Sequence, residues 1–314
     1  MAFVKLVKNR AFFKRFQVKK RRRREGKTDY QARRAMTKQD KTKYASKKYR
    51  LVVRFSNKRV ICQVVYSTIV GDKTIASATS DELKNYGIPA GYKNYAAAYC
   101  TGLLVARRCL KTLSLDETFK GKEELDAEEY HVEEEENDRR PFKCILDVGL
   151  RRTCVGCRIW GALKGAVDGG LHVPHSIKKF PGYSAPEEKG GESSYDAEAH
   201  KDRIYGNHVK EYMEMLAEED PTKYEAHFAK YIGDGIDADK MEDMYTEAME
   251  KIRENPDRPE KEAKNITFER DGQTLKPSEG DEYTRCIKLT LKQRKAKVQA
   301  KITRAQEKLM AGDD

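Results

Sequence analysis

The alternation of apolar and polar side chains settles into a strand period at residue 51. Leu51, Val53 and Phe55 alternate with Val52 and Arg54, and a short Asn57-Lys58 break follows. A period of two is expected of a strand that turns one face to a core. Val60 to Tyr66 (VICQVVY) is almost continuously apolar, as a central strand would be. Gly71-Asp72 offers a hairpin turn into Lys73 to Thr79, so three consecutive antiparallel strands are predicted. The spacing then changes to that of a helix. Tyr99, Leu103, Ala106 and Leu110 form one apolar stripe over alanine-rich turns, with Arg107 and Arg108 off the stripe near its C-terminal end. Phe142 to Val148 (FKCILDV) reads as another buried strand, and the small-residue stretch Trp160 to Val167 as a helix packed close to a sheet. This β-β-β-α-β-α order predicts a layered α/β domain over about residues 50–175.

The flanking pattern is different. Gly182 to Glu198 is a polar loop, and residues 205–255 predict acidic amphipathic helices that bury Tyr212, Leu216, Tyr224, Phe228, Met241, Met244 and Tyr245. Pro256 and Pro259 mark a linker. Leu291, Val298, Ile302, Ala305 and Leu309 make a stripe on a final helix whose opposite face is strongly basic. Residues 116–138 hold twelve acidic side chains, including the run Glu133 to Glu136, which predicts a solvated, mobile loop.

Charge sharpens this division. The 314 residues carry a formal net charge of +12, but residues 1–50 alone hold 20 Lys and Arg against 3 Asp and Glu. That is a net of +17, leaving −5 for the remaining 264 residues. The same fifty residues carry Phe3, Phe12, Phe13, Phe16, Tyr30, Tyr44 and Tyr49. A targeting tail or membrane anchor needs only the cations. Aromatic rings among them also suit RNA, where rings stack on unpaired bases while guanidinium groups hold phosphates. So basic a segment is expected to order only on its partner. The N-terminal MAFVKLVKNRAFFKRF lacks the apolar centre of a signal peptide, and no apolar run approaches the roughly 20 residues of a membrane span. Seven scattered cysteines (Cys62, Cys100, Cys109, Cys144, Cys154, Cys157 and Cys286) fit reduced thiols better than a disulfide framework.

Candidate chemistry is sparse. Cys154-x-x-Cys157 followed by His172-x-x-His175 has the donors of a zinc site, but the His pair is too closely spaced and Pro174 interrupts it. Asp147 at the end of a buried strand raises a metal-dependent nuclease, which would need three or four convergent carboxylates. The other strands offer none at their centres, and Asp72 reads as a turn residue. Asp147 is therefore expected to bond to backbone or to pair with Arg151 or Arg152. No phosphate-binding glycine motif is present, because GALKGAVDGG has neither required spacing. Gly149-Leu150-Arg151-Arg152-Thr153 and His175 to Tyr183 instead bring cations, backbone amides and aromatics together in loops.

Five stretches carry a resemblance: FVKLVKNRAFFKRFQVKKRRRREGKTDY at 3–30, NYAAAYCTGLLVARRCL at 94–110, WGALKGAVDGGLHVPHS at 160–176, KKFPGY at 178–183 and ENPDRPEKE at 254–262. They resemble the eukaryotic large-subunit ribosomal proteins that bind 5S ribosomal RNA, the universal L eighteen family (eukaryotic L five). The resemblance implies a three-layer α/β core with a mixed sheet, a long basic N-terminal arm and a helical C-terminal extension. It implies a structural role in the central protuberance, with 5S RNA, large-subunit RNA, neighbouring ribosomal proteins including a second 5S-binding protein, and assembly factors as partners. It also implies delivery as a 5S ribonucleoprotein through nucleus and nucleolus to the cytoplasmic ribosome. No enzymatic activity, small-molecule substrate, cofactor, metal or membrane is expected. Cys154 and Cys157 stand where the family usually has Thr or Asn, His172 where it has a small polar residue, and 277–284 looks like an insertion.

The domains expected are an arm (1–49), a core (50–182) with the acidic loop 116–138, an acidic helical region (183–264) and a basic helix with its tail (265–314). The expected RNA-binding residues of the arm are Lys5, Lys8, Arg10, Phe12, Phe13, Lys14, Arg15, Phe16, Lys19, Lys20, Arg21, Arg22, Arg23, Arg24, Lys27, Arg33 and Arg34. The core adds Arg54, Asn57, Arg151, Arg152, Lys178 and Lys179, and the last helix adds Lys292, Arg294, Lys295 and Lys297.

Overall fold

The computed structural model describes residues 7–44, 46–133, 139–186, 193–259, 267–271, 274–278, 282–284, 286 and 288–311. They fall into two compact units, Met1–Asp257 and Arg258–Asp314. In the first, β1 (Tyr49–Phe55), β2 (Val60–Ser67) and β3 (Asp72–Thr79) pair antiparallel in sequence order. β4 (Cys144–Asp147) joins β1 in parallel, giving a mixed sheet of order β3-β2-β1-β4. Alternation sends Leu51 and Val53 of β1, with Val60, Cys62 and Val64 of β2, into the core, each fully buried.

Three short helices precede the sheet: α1 (Arg10–Arg15), α2 (Arg21–Arg24) and α3 (Tyr30–Thr37). None buries a residue, as befits a segment whose charge opposes collapse. α3 nonetheless departs from the expectation of an arm without structure of its own. Asp29 caps it by accepting from the amides of Gln31 and Ala32, and ion pairs described below fix it to the sheet.

α4 (Tyr95–Thr112) begins a full turn before the predicted stripe, where Asn94 accepts from the Ala97 amide at 2.6 Å. Fourteen of its 18 residues are buried, so it is a central layer and not a half-exposed amphipathic helix. The sheet lies on one side and α5 (Arg158–Asp168) on the other. The crossing of α4 and α5 is unusually close. A Cβ at Gly102 would sit 2.1 Å from the Ala162 carbonyl oxygen, and one at Gly165 would sit 2.1 Å from that of Tyr99. Sheet, α4 and α5 are the three layers of the expected α/β core.

Further helices follow: α6 (Ala197–Tyr205), α7 (Asn207–Glu219), α8 (Pro221–Gly233) and α9 (Met241–Glu254). Leu216, Phe228, Met241, Met244 and Tyr245 are buried as predicted and Tyr224 is half-buried, but Tyr212 is exposed. Its neighbour Met213 takes the inward position, three residues before Leu216, and the helical period turns Tyr212 outward.

The acidic segment also differs from the expected free loop. Residues 116–133 contain neither helix nor strand, yet Phe119, Ala127 and Val132 are buried. The Arg107 guanidinium donates to the carbonyls of Phe119 (2.8 Å) and Asp116 (3.0 Å), and Lys164 Nζ donates to that of Glu128 (2.8 Å). Lys164 is itself buried and pairs with Asp168 at 2.8 Å, whose other oxygen accepts from the Tyr99 hydroxyl at 2.8 Å. Burial still holds the Asp168 carboxyl above the usual range. Nearby, His200 lies fully buried between two tyrosines. The Tyr195 hydroxyl donates to the Ala127 carbonyl (2.6 Å), so its oxygen accepts from His200 Nδ1–H (2.7 Å). Nε2 is then the bare nitrogen that accepts from Tyr95 (2.8 Å). Burial pushes His200 down to about 3. Glu134 to Glu136 lie outside the described residues.

In the second unit, β7 (Phe268–Asp271), β8 (Thr274–Pro277) and β9 (Tyr283–Thr284) form an antiparallel sheet that the hydrophobic pattern did not announce. (β5, Tyr183–Ser184, and β6, Ser194–Tyr195, form a minimal pair in the first unit.) α10 (Leu291–Ala311) follows, with its predicted stripe present and exposed.

Candidate nucleic-acid interface

The face of the sheet opposite α4 is built from charge. Arg50, Val52 and Arg54 alternate with the core residues of β1, so both arginines share that face. Parallel pairing sets Asp147 beside Val52, between the two guanidiniums. Arg50 reaches Asp147 at 2.6 Å, and Arg54 reaches the other carboxylate oxygen at 2.8 Å. Arg50 also contacts Asp72 at 2.8 Å, and Asp72 receives both forks of Arg33 from α3 at 2.7 and 2.8 Å. An alternating chain therefore runs Arg33, Asp72, Arg50, Asp147, Arg54, with three cations to two anions. It is this chain that docks the arm. The Arg33 guanidinium, with Ser67 and Arg50, holds the Asp72 carboxyl far below the usual carboxylate range. Burial alone would raise Asp147, but Arg54, the Gly149 amide and Arg50 outweigh it and hold that carboxyl low as well.

Asp147 makes the expected bond to backbone, accepting from the Gly149 amide at 3.0 Å, but its charge partners are arginines of the neighbouring strand and not Arg151 or Arg152. Those two follow it into an exposed loop. Arg151 instead lies over the Phe55 ring at 5.2 Å, and Arg158 lies over the same ring at 5.0 Å. Phe55 and Arg158 are members of this candidate interface that sequence reasoning did not nominate. The signal available was a cation opening a helix directly after the Arg151-Arg152 loop, but only the sheet register brings Phe55 to it. Asp72 is more than a turn residue, because it anchors α3. With both carboxylates occupied by arginine, the face lacks the converging free carboxylates of a nuclease. Among the described residues, no group of three or more His, Cys, Asp and Glu could hold a metal ion. The Cys154, Cys157, His172 and His175 side chains form no such group, and His175 Nδ1 is taken by the Val173 carbonyl at 2.8 Å.

The arm cations surround this face. A cleft of about 550 Å³ is lined by Arg22, Lys27, Tyr30 and Arg33 of the arm and by Arg50, Arg54 and Gly149 of the core. A second cleft joins Lys19, Lys20, Arg23 and Tyr30 to Leu150, so the arm and the loop after β4 share a surface. Lys20 sits over the Tyr30 ring at 5.3 Å. Arg21 and Lys27 share Glu25, whereas Lys8, Arg10, Lys14, Arg15, Lys19, Lys20, Arg22, Arg23, Arg24 and Arg34 form no ion pair among the described residues. Phe12 packs edge-on to Phe13 at 5.5 Å and beside Phe16 at 5.7 Å, and both Phe13 and Phe16 are more than half exposed.

Other nominated residues are dispersed. The Asn57 carbonyl accepts from Lys93, and Lys178 and Lys179 are exposed in a 3-10 turn. Lys292, Arg294, Lys295 and Lys297 are exposed on α10 of the second unit. Lys5 lies outside the described residues. No helix among the described residues is long and apolar enough to cross a membrane.

The family described as ribosomal large subunit proteins 60S L5 and 50S L18 matches residues 14–176, and the ribosomal L18 C-terminal region matches residues 241–307. The large ribosomal subunit protein uL18 of Theileria annulata is 58% identical over 303 residues, covering 96% of this chain and 98% of its own length. That of Eimeria tenella is 55% identical over 309 residues, covering 98% and 99%. That of Neurospora crassa is 53% identical over 307 residues, covering 96% and 98%.

Proposed function

Because the chain belongs to the family of ribosomal large-subunit proteins 60S L5 and 50S L18, it is a structural constituent of the large ribosomal subunit and not an enzyme, and we propose that the RNA it holds there is 5S ribosomal RNA. In this reading the arm tracks the RNA backbone, with Arg21 to Arg24, Lys14, Arg15 and Arg34 on phosphates and Phe12, Phe13 and Phe16 against bases. Arg151 and Arg152 extend the contact from the core, and Lys292, Arg294, Lys295 and Lys297 extend it from α10 to 5S or large-subunit RNA. Arg33 and Arg54 act indirectly, since their guanidiniums fix the arm and the loop. The acidic helices face proteins or solvent, where a second 5S-binding protein and assembly factors would sit. The protein is delivered with its RNA as a 5S ribonucleoprotein, through nucleus and nucleolus, to the central protuberance.

The observation that carries this reading is the row of unpaired arm cations beside a sheet face whose own charges are spent on docking the arm. Tagged protein recovered from lysate should bring down predominantly 5S RNA, and deletion of residues 1–50 should abolish that enrichment. With six of these seven arm cations each neutralising a phosphate, log affinity should fall against log salt with a slope of about −4 to −5. Mixed RNA without 5S enrichment, or a slope unchanged by replacing Arg21 to Arg24, would overturn the assignment.

A further inference from the structure

The loop after β4 carries two thiols that RNA binding leaves without a role. Cys62, Cys100, Cys109 and Cys144 are buried. Burial pushes the first three thiols up to about 12 and Cys144 higher still, which makes them inert near neutral pH. Cys154 is exposed and Cys157 is half-buried.

These two residues are the ends of one tight turn. The Cys157 amide donates to the Cys154 carbonyl at 3.3 Å, and Gly156, at φ +70°, supplies the left-handed third position of a type II turn. The ends of such a turn lie within about 7 Å of each other, overlapping the roughly 4.4–6.8 Å between Cα atoms that a disulfide spans. Arg151, Arg152 and Arg158 make the surroundings electropositive. The only tryptophan of the chain reports on the same turn, because the Trp160 indole N–H donates to the Cys154 carbonyl at 2.9 Å.

We propose that Cys154 and Cys157 are a reversible modification site, closing as an intramolecular disulfide with a hydroperoxide as oxidant. The thiolate of Cys154, the more exposed, attacks one peroxide oxygen. The O–O bond breaks, hydroxide leaves and takes a proton to become water, and Cys154 becomes a sulfenic acid. The thiolate of Cys157 then attacks that sulfur, the S–O bond breaks, and hydroxide leaves to form a second water. Two thiols lose two electrons and two protons, and hydrogen peroxide is reduced to two waters. A dithiol reverses the reaction by thiol–disulfide exchange. Closure ties the turn shut between Arg151-Arg152 on one side and Arg158 on the other, whatever RNA the loop meets.

The full chain carrying Cys286→Ser tests this without interference from the other exposed thiol. Under native conditions iodoacetamide should label Cys154 and Cys157 before brief hydrogen peroxide treatment and neither afterwards, with dithiothreitol restoring both. Peptide mapping should find the Cys154–Cys157 link, and Trp160 emission should shift on oxidation and return on reduction. Adding Cys154→Ser or Cys157→Ser should remove link and shift together. Oxidation that stops at sulfinic acid, gives disulfide-linked dimers, or leaves Trp160 emission unchanged would overturn the proposal.

Discussion

The N-terminal arm and the interior of the first unit are both rich in arginine, and they use it in opposite ways. Inside, the buried guanidiniums find internal partners, with Arg50 Nε and Arg108 Nη2 left without one among the described residues. Arg50 bridges Asp72 and Asp147, and Arg108 pairs with Glu82 at 2.9 Å while donating to the Ser77 and Pro256 carbonyls. Arg253 donates to the carbonyls of Lys120, Lys122 and Asp168. In the arm, Arg10, Arg15, Arg22, Arg23, Arg24 and Arg34 meet no carboxylate among the described residues. Desolvated cations must be answered by groups of the same chain. Cations kept wet stay available to a polyanion. Position relative to water, more than residue type, separates arginine as mortar from arginine as contact.

The sharpest way to break this contrast is Asp147→Ala, which leaves Arg50, only 2% exposed, short of a partner in the sheet face. Urea denaturation should show a loss of about 2–3 kcal/mol, short of the roughly 3–5 kcal/mol of a fully stranded buried charge because Asp72 still holds Arg50. A loss below about 1 kcal/mol would place the pair with surface salt bridges and dissolve the distinction.

Acid probes the interior by a second route. His200 is held neutral by burial, with a pKa of about 3 when folded. Between its ordinary value, about 6.5, and about 3 the unfolded chain binds a proton that the folded chain refuses. Stability must therefore fall as pH falls through that window. Asp168, raised by burial, works in the opposite direction at the acid end. Asp72 and Asp147, both lowered, withdraw their contribution only as pH drops below the ordinary carboxylate range. The urea midpoint should drop between pH 7 and 5, and His200→Gln should flatten that drop. An equal slope in the variant would remove His200 from the account.

The smallest expected effect sharpens the other side of the comparison. Changing Arg21 to Arg24 together to Gln should shift stability by no more than about 0.5 kcal/mol, as for surface substitutions generally. The same change should take about 3 from the salt slope of RNA binding. A large stability loss would mean that these arginines are structural after all.

Much of this was legible beforehand, and the failures share a cause. Local alternation sufficed for β1 and β2, and arm composition sufficed to mark out a segment that keeps its cations exposed. The backbone bond of Asp147 was legible, but its charge partners were not, because Arg50 lies 97 residues away and meets it only through parallel pairing of β1 with β4. The nearby Arg151 and Arg152, favoured by proximity along the chain, turn to Phe55 or to solvent. Tyr212 was misplaced because an apolar neighbour, Met213, competed for the same turn of helix. The acidic segment looked free because its anchors are backbone carbonyls, and a carbonyl belongs to every residue alike.

The glycine crossing of α4 and α5 has a bearing on how the interface keeps its place. At Gly102 and Gly165 the two helices meet main chain to main chain, so their separation is not negotiated by side-chain volume. α5 is thereby pinned like a shaft in a bearing, and the loop holding Arg151 to Cys157 hangs from its fixed end. Substitution within that loop can change its chemistry without changing its address on the molecule. A single methyl at either glycine would move the whole loop while touching none of its residues.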